Sequence, residues 1–191
     1  MQSFNKDKFM QSDVALYGMF ISVGMVLGYI ESVIPNPIPI PGVKLGLANV
    51  LVLWVLYSMG AKAAAIINIL RVVISGLLFG NLYSIIFSLA GALLSLTCML
   101  FLKKFKAFTI VGVSVAGGVT HNIAQIIVSM IVLENARLVT YLPVLLISGI
   151  VAGIAIGVLG GLLYKKIRIL SYDELKSNMG RNITKKNGEK K

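Results

Sequence analysis

Arg71 lies in the middle of a long apolar stretch, where a charged side chain is costly. Insertion scales place this cost at about 2.5 to 3.5 kcal/mol, so such an arginine normally faces a polar interior or an anion. Asn68 precedes it by three residues and Ser75 follows it by four, which places all three on one helix face. The pattern predicts either a ligand site or an internal structural bridge.

A second polar cluster contains the only histidine, His121, followed by Asn122 and Gln125. The i to i+4 spacing places His121 and Gln125 on one helix face. A lone histidine is often a hydrogen-bonded packing residue, but unpaired polar groups inside hydrocarbon are costly, so both interpretations stay open. Polar residues from three apolar stretches fall at similar depth and predict one ligand-binding pocket. They are Asn49, Asn68, Arg71, His121, Asn122 and Gln125.

Catalytic and metal-binding motifs are absent from the sequence. There is no GxxxxGK[ST] phosphate loop, no HExxH motif and no aspartate pair of the kind that holds magnesium and a diphosphate. The aspartates Asp7, Asp13 and Asp173 are scattered, and Cys98 is the only cysteine. We expect no catalytic residues, no metal and no cofactor.

The elements that must position these residues are apolar runs. The chain is 57% hydrophobic and 13% charged, whereas a soluble domain has about 25% charged residues. A membrane-crossing helix needs roughly 17 to 25 apolar residues. The sequence predicts an all-α integral membrane protein with a bundle of about six transmembrane helices. Their expected bounds are 14–34, 45–59, 63–80, 82–102, 110–133 and 141–164.

The basic residues predict the orientation of these helices. All but three of the 18 Lys and Arg residues fall on one side, and the exceptions are Lys44, Arg137 and Arg71. Because cytoplasmic loops carry the excess of Lys and Arg, that side is predicted to be cytoplasmic. We therefore expect a cell-membrane protein with both termini inside. Residues 1–13 form its cytoplasmic N-terminal segment, 14–165 its membrane domain and 166–191 a basic flexible tail.

Small residues recur at helix-packing spacing in the first and last apolar runs. Gly18, Ser22, Gly24 and Gly28 form two small-xxx-small pairs in the first run. Such pairs let helices approach closely, so they predict either a docking face for a partner or internal packing. For Gly149, Gly153 and Gly157 in the last run, internal packing is favoured.

Alternating prolines from position 35 to position 41 predict a stiff extended strap, which is either a lid over the pocket or a rigid connector. Beneath it, Trp54 and Tyr83 are expected to line the apolar part of the cavity.

Four segments together carry a resemblance to a known family. They are Pro41–Asn49, Leu70–Val72 with Gly76–Gly80, Ser88–Ser95 and His121–Gln125. In their order, these segments resemble the Gx transporter family, also labelled heptaprenyl diphosphate synthase component I. Where that family often has a glycine pair after Ser-Leu-Ala, this chain has Gly91-Ala92. The family is similar to the substrate-binding S components of energy-coupling factor (ECF) transporters, which are small six-helix proteins.

Two functions follow as expectations. The resemblance implies a substrate-binding subunit of an ECF-type uptake transporter, but it does not imply a ligand. Because Arg71 lies at mid-membrane, we expect a small-molecule substrate that has a polar or anionic group. Its partners would be a transmembrane coupling subunit, two cytoplasmic ATPases and the lipid bilayer, with no nucleic acid. The alternative is a non-catalytic membrane subunit of heptaprenyl diphosphate synthesis, which the family label alone supports.

Overall fold

The computed structural model describes the backbone of residues 3–33, 46–105 and 107–170, and most side chains from residue 14 to residue 167 within those ranges. The proline strap and residues 171–191 of the basic tail lie outside the described residues, whereas residues 166–170 continue the last helix. Within these ranges the protein is all-helical, as the sequence predicts. The helices are α1 (Ser3–Val33), α2 (Leu47–Ser58), α3 (Ala61–Phe79), α4 (Leu82–Lys103), α5 (Ile110–Val132) and α6 (Leu142–Leu170), with a short 3-10 helix (Ala136–Tyr141) before α6.

Local chemistry sets several helix ends. The Asn81 side chain accepts a hydrogen bond from the backbone N–H of Ser84 at 2.8 Å, so it caps α4. Thr109 caps α5 in the same way, through the backbone N–H of Gly112. Gly80 and Asn81 alone separate α3 from α4, so these two helices form a tight hairpin. The helix α1 extends further towards the N-terminus than its apolar run, and α6 extends further towards the C-terminus.

Five helices are long and apolar enough to cross a membrane, and α2 is the exception. Its 12 residues span only about 18 Å at 1.5 Å per residue, against a hydrocarbon thickness of about 30 Å. It is the most enclosed helix, with fully buried Leu53, Val55 and Leu56. Each helix packs against its neighbours in the order α1, α3, α4, α5, α6 and α2, and α2 closes the ring against α1.

Side-chain contacts sort the helix ends into two groups. The Lys103 ammonium at the end of α4 donates to the Leu56 carbonyl at 2.6 Å. Tyr57 and Tyr164 have ring centroids 6.0 Å apart, so the end of α6 lies there too. We call this the cation-rich end. At the opposite end, the cation-poor end, Tyr29 of α1 lies 4.9 Å from Phe79 of α3, measured between ring centroids.

The glycine row of α6 faces α5. A Cβ atom at Gly153 would lie 2.6 Å from the Cα of Val115, and one at Gly157 would lie 2.7 Å from the Cα of Val111. Gly149 approaches the backbone of Gly118 in the same way. These distances leave no room for side chains, so the predicted internal packing of this row is confirmed.

Candidate functional site

A cavity of about 490 Å³ lies towards the cation-poor end of the bundle, and all six helices contribute to its wall. Its volume is in the range of small-molecule sites. The N-terminus of α2 forms part of the wall, through Gly46, Ala48 and Asn49. Because α2 begins at Leu47 and is short, it leaves this space within the ring of longer helices.

Arg71 of α3 is the only cationic side chain among the described residues that line the cavity. Its Nη2 group donates to Asn68 Oδ1 at 2.8 Å and to Asn49 Oδ1 at 3.3 Å. Its Nε group is shielded from solvent and has no hydrogen-bond partner among the described residues. The guanidinium is therefore held by two amides, and part of its donor capacity is unused.

A glycine on α1 makes room for this arginine. A Cβ atom at Gly24 would lie 2.6 Å from Arg71 Cδ and 3.2 Å from Leu51 Cδ2. The arginine stem therefore occupies space beside α1 that is free only because residue 24 has no side chain. Gly24 is thus needed inside the bundle, whatever its role towards a partner.

Glu31 lies near the end of α1 and lines the same cavity. Its Oε1 atom accepts a hydrogen bond from the backbone N–H of Gly46, just before α2. A carboxylate is favourable at this position because the first N–H groups of a helix have no partner within the helix. Glu31 is also close enough to Arg71 for an electrostatic interaction. The described cavity wall therefore includes one acidic and one basic side chain, those of Glu31 and Arg71.

The second polar cluster lies on the opposite wall. His121 and Gln125 of α5 both line the cavity. A Cβ atom at Gly91 of α4 would lie 2.7 Å from His121 Cε1 and 2.9 Å from Gln125 Cγ. Gly91 therefore allows these two side chains to pack against α4 while they face the cavity.

Asn122 lines the cavity and joins two helices. Its Nδ2 group donates to the Leu145 carbonyl of α6 at 2.6 Å and to Ser148 Oγ at 3.3 Å. Both acceptors belong to the first part of α6, beside the Gly118–Gly149 contact. The amide thus stabilises the closest helix pair of the bundle and presents its remaining polar surface to the cavity.

The structure brings five of the six predicted ligand-binding residues to the lining of one cavity, and the sixth, Asn68, supports Arg71 from behind. Asn68 is 4% exposed. Their role in binding stays a prediction. Sequence reasoning placed Ser75 on the Arg71 face, but it missed Ser84, Ser88, Ser148 and Glu31 as wall residues. Spacing contained a signal for two of the missed serines, because Ser84 and Ser88 are one helix turn apart on α4.

The expected apolar lining was wrong. Trp54 packs against Phe20 of α1 with ring centroids 5.2 Å apart, and Tyr83 is an exposed residue that contacts Phe87. Neither lines the cavity. Both belong to helices that are apolar around most of their circumference, so composition alone does not fix which side faces inward.

The predicted docking residues of α1 have different surroundings. A Cβ atom at Gly18 would have no neighbour within 4 Å, and the Ser22 hydroxyl donates back to the Gly18 carbonyl at 2.9 Å. Gly28 also has open space beside it, and this space is the cavity. Gly18 and Ser22 therefore lie on a free surface of the described structure. Partner docking there stays a prediction.

An all-helical bundle of membrane type, with a polar cavity enclosed by six helices, is the class of protein that this fold defines. The sequence model of one family, described as heptaprenyl diphosphate synthase component I, matches residues 20–163. The chain belongs to that family. Searches of curated proteins and of solved structures find no match. Among the described residues, no group of three or more His, Cys, Asp or Glu side chains is placed to hold a metal ion.

Proposed function

We propose that this protein is the substrate-binding membrane subunit of an ECF-type uptake transporter and binds a small polar or anionic molecule in the cavity. The observation that carries the proposal is the unpartnered Nε of Arg71, shielded in the wall of a cavity of about 490 Å³. A buried donor without an acceptor costs about 1 to 3 kcal/mol, and a ligand acceptor removes that cost.

The distribution of charge supports entry from the cation-poor end, where the cavity lies. In the predicted orientation this end faces outward. The chain has no phosphate-binding loop, so the energy for uptake would come from separate ATPases through a coupling subunit. The free small-residue surface at Gly18 and Ser22 offers one place for that subunit.

The family description favours a second candidate, a non-catalytic membrane subunit associated with heptaprenyl diphosphate synthesis. Isolation of the protein from its native membrane with mild detergent distinguishes the two. Recovery of two ATPases and a membrane coupling protein supports the uptake subunit. Recovery of a soluble prenyl synthase without ATPases contradicts it and supports the second candidate.

Arg71 provides the direct test of binding. We expect Arg71→Met to lower the affinity for the small molecule that the wild-type protein retains from a cell extract by at least tenfold, equivalent to about 1.4 kcal/mol. Equilibrium dialysis in lipid nanodiscs measures this loss, and unfolding temperature is recorded in parallel. Arg137→Met is the matched control, because Arg137 is exposed in the 3-10 helix and lies outside the cavity wall.

Equal retention by wild type and Arg71→Met contradicts the proposed site. The interpretation of Arg71 as an internal bridge is supported instead if Arg71→Met lowers the unfolding temperature of the empty protein and leaves retention unchanged. In that case the guanidinium has a structural role only, which is to donate hydrogen bonds to the side-chain amides of Asn49 and Asn68.

A further inference from the structure

Among the described residues of the cavity wall, the Arg, Lys, Asp and Glu side chains are one guanidinium and one carboxylate, from Arg71 and Glu31. Among the described residues of the wall, one cationic side chain is thus matched by one anionic side chain. A ligand with a net charge would leave one charge unbalanced in a region enclosed by apolar helices, which is unfavourable.

Two donors on one face of α3 point to where a ligand anion would bind. Arg71 Nε and Ser75 Oγ are both shielded from solvent and without a hydrogen-bond partner among the described residues. They are four residues apart, one helix turn, and both residues line the cavity. Nη2 of the same guanidinium is already committed to Asn49 and Asn68. The unused donors suit one compact acceptor group, such as a carboxylate.

Glu31 supplies the complementary charge. Its Oε1 atom is engaged by the Gly46 N–H, and its other oxygen accepts no hydrogen bond from the described residues. Within the described structure, that oxygen can accept a hydrogen bond from a cationic group of a ligand. The acid and the base belong to neighbouring helices, α1 and α3, so both ends of a short dipolar ligand can be bound from this one side of the cavity.

We propose that the ligand is a zwitterion with no net charge, whose carboxylate binds Arg71 and Ser75 and whose cationic group binds Glu31. This inference rests on the proposed binding function and names its substrate class. It excludes a prenyl diphosphate as the occupant. A diphosphate brings more than one negative charge, and the described wall offers a single cation and no cluster of acids that could hold a magnesium ion.

Affinity selection from a metabolite extract tests the inference with the full chain in nanodiscs. Wild type, Arg71→Met, Glu31→Gln and Ser75→Ala are dialysed against the same extract, and bound molecules are identified by mass spectrometry. Glu31→Gln keeps an oxygen for the Gly46 N–H and loses only the charge. Ser75→Ala removes a hydroxyl that has no partner in the described structure, so its unfolding temperature should not fall. Ser95→Ala is the matched control, because Ser95 is buried on α4 outside the cavity.

The expected result is a zwitterion that wild type and Ser95→Ala retain equally, and that each of the other three variants retains at least tenfold less. A retained monoanion or diphosphate that depends on Arg71 but not on Glu31 overturns the inference and leaves the binding function in place. The absence of any molecule whose retention depends on Arg71 overturns both. Retention of a zwitterion by Glu31→Gln at the wild-type level also overturns the inference.

Discussion

Several polar residues of this protein occupy space that glycines on neighbouring helices leave free. Gly24 admits the stem of Arg71, and Gly91 admits His121 and Gln125. The polar residues of the cavity can therefore be close to the helix backbones and still face inward. Where large side chains replaced these glycines, the polar groups would be pushed into the cavity or the helices would separate.

The Gly91 contact leads to a prediction. In Gly91→Ala the new methyl group would lie within 3 Å of the His121 ring, so the ring must shift. Overpacking of this kind costs about 1 to 3 kcal/mol, which exceeds the helix-propensity gain of up to about 1 kcal/mol from glycine to alanine. We expect a lower unfolding temperature in detergent and at least tenfold weaker ligand retention.

Gly161→Ala is the control for this change. The nearest atom to a Cβ at Gly161 is 4.0 Å away, so the same substitution there meets no clash. It should leave retention unchanged and keep or raise the unfolding temperature. If Gly91→Ala behaves like Gly161→Ala, the packing of His121 against α4 does not control the shape of the cavity.

The candidate site was predictable from the sequence where the free-energy cost of exposing a polar side chain to hydrocarbon determines its position. Arg71, Asn49 and His121 were expected on one inner surface because hydrocarbon is a poor solvent for them, and all three line the cavity. Glu31 was not predicted as a wall residue. The contact of Glu31 with the Gly46 N–H depends on the packing of α1 against α2, and no local sequence pattern predicts that packing.

The middle helices were predicted closely because each is an apolar run bounded by glycine, asparagine or charged residues, whereas α1 begins at residue 3 instead of the predicted residue 14. The predicted ends of α3 and α5 differ from the observed ones by at most two residues. What the sequence did not reveal is the rotation of each helix about its own axis. Trp54 and Tyr83 face away from the cavity because nearly all sides of their helices are apolar, so periodicity carries little information.

The surface of α1 at Gly18 allows a prediction about partners. Gly18→Leu adds a side chain to open space, so the isolated protein should keep its unfolding temperature. If a coupling subunit docks there, the leucine prevents close helix approach and we expect recovery of that partner from membranes to fall severalfold. Quantitative mass spectrometry of the co-purified proteins measures the change.

Gly161→Leu on α6 is the matched control, since it makes the same chemical change at another glycine with no atom closer than 4.0 Å. It should leave partner recovery unchanged. Equal recovery with both variants places the docking surface elsewhere, and an unstable Gly18→Leu protein indicates that Gly18 serves internal packing.

The two ends of the helix bundle differ in their number of cationic residues and in their interior, which is a hydrophobic core at one end and a cavity at the other. The cation-rich end holds Lys103 against Leu56 and Tyr57, and the hydrophobic core continues beneath it through Leu53 and Ile67. The cation-poor end contains the cavity. Because the basic side of a membrane protein is normally cytoplasmic, this asymmetry predicts a cavity that opens to the outside.

The orientation is tested with single cysteines in a Cys98→Ser background. Arg137 and Lys104 are exposed and belong to opposite ends, so a cysteine at either position has a reactive thiol in contact with solvent. In intact cells an impermeant thiol reagent should label Arg137→Cys and not Lys104→Cys, and both should react after the membrane is permeabilised. The reverse pattern would place the cavity on the cytoplasmic side, where the binding of an external substrate is impossible, and the uptake proposal would fail even if a ligand is found.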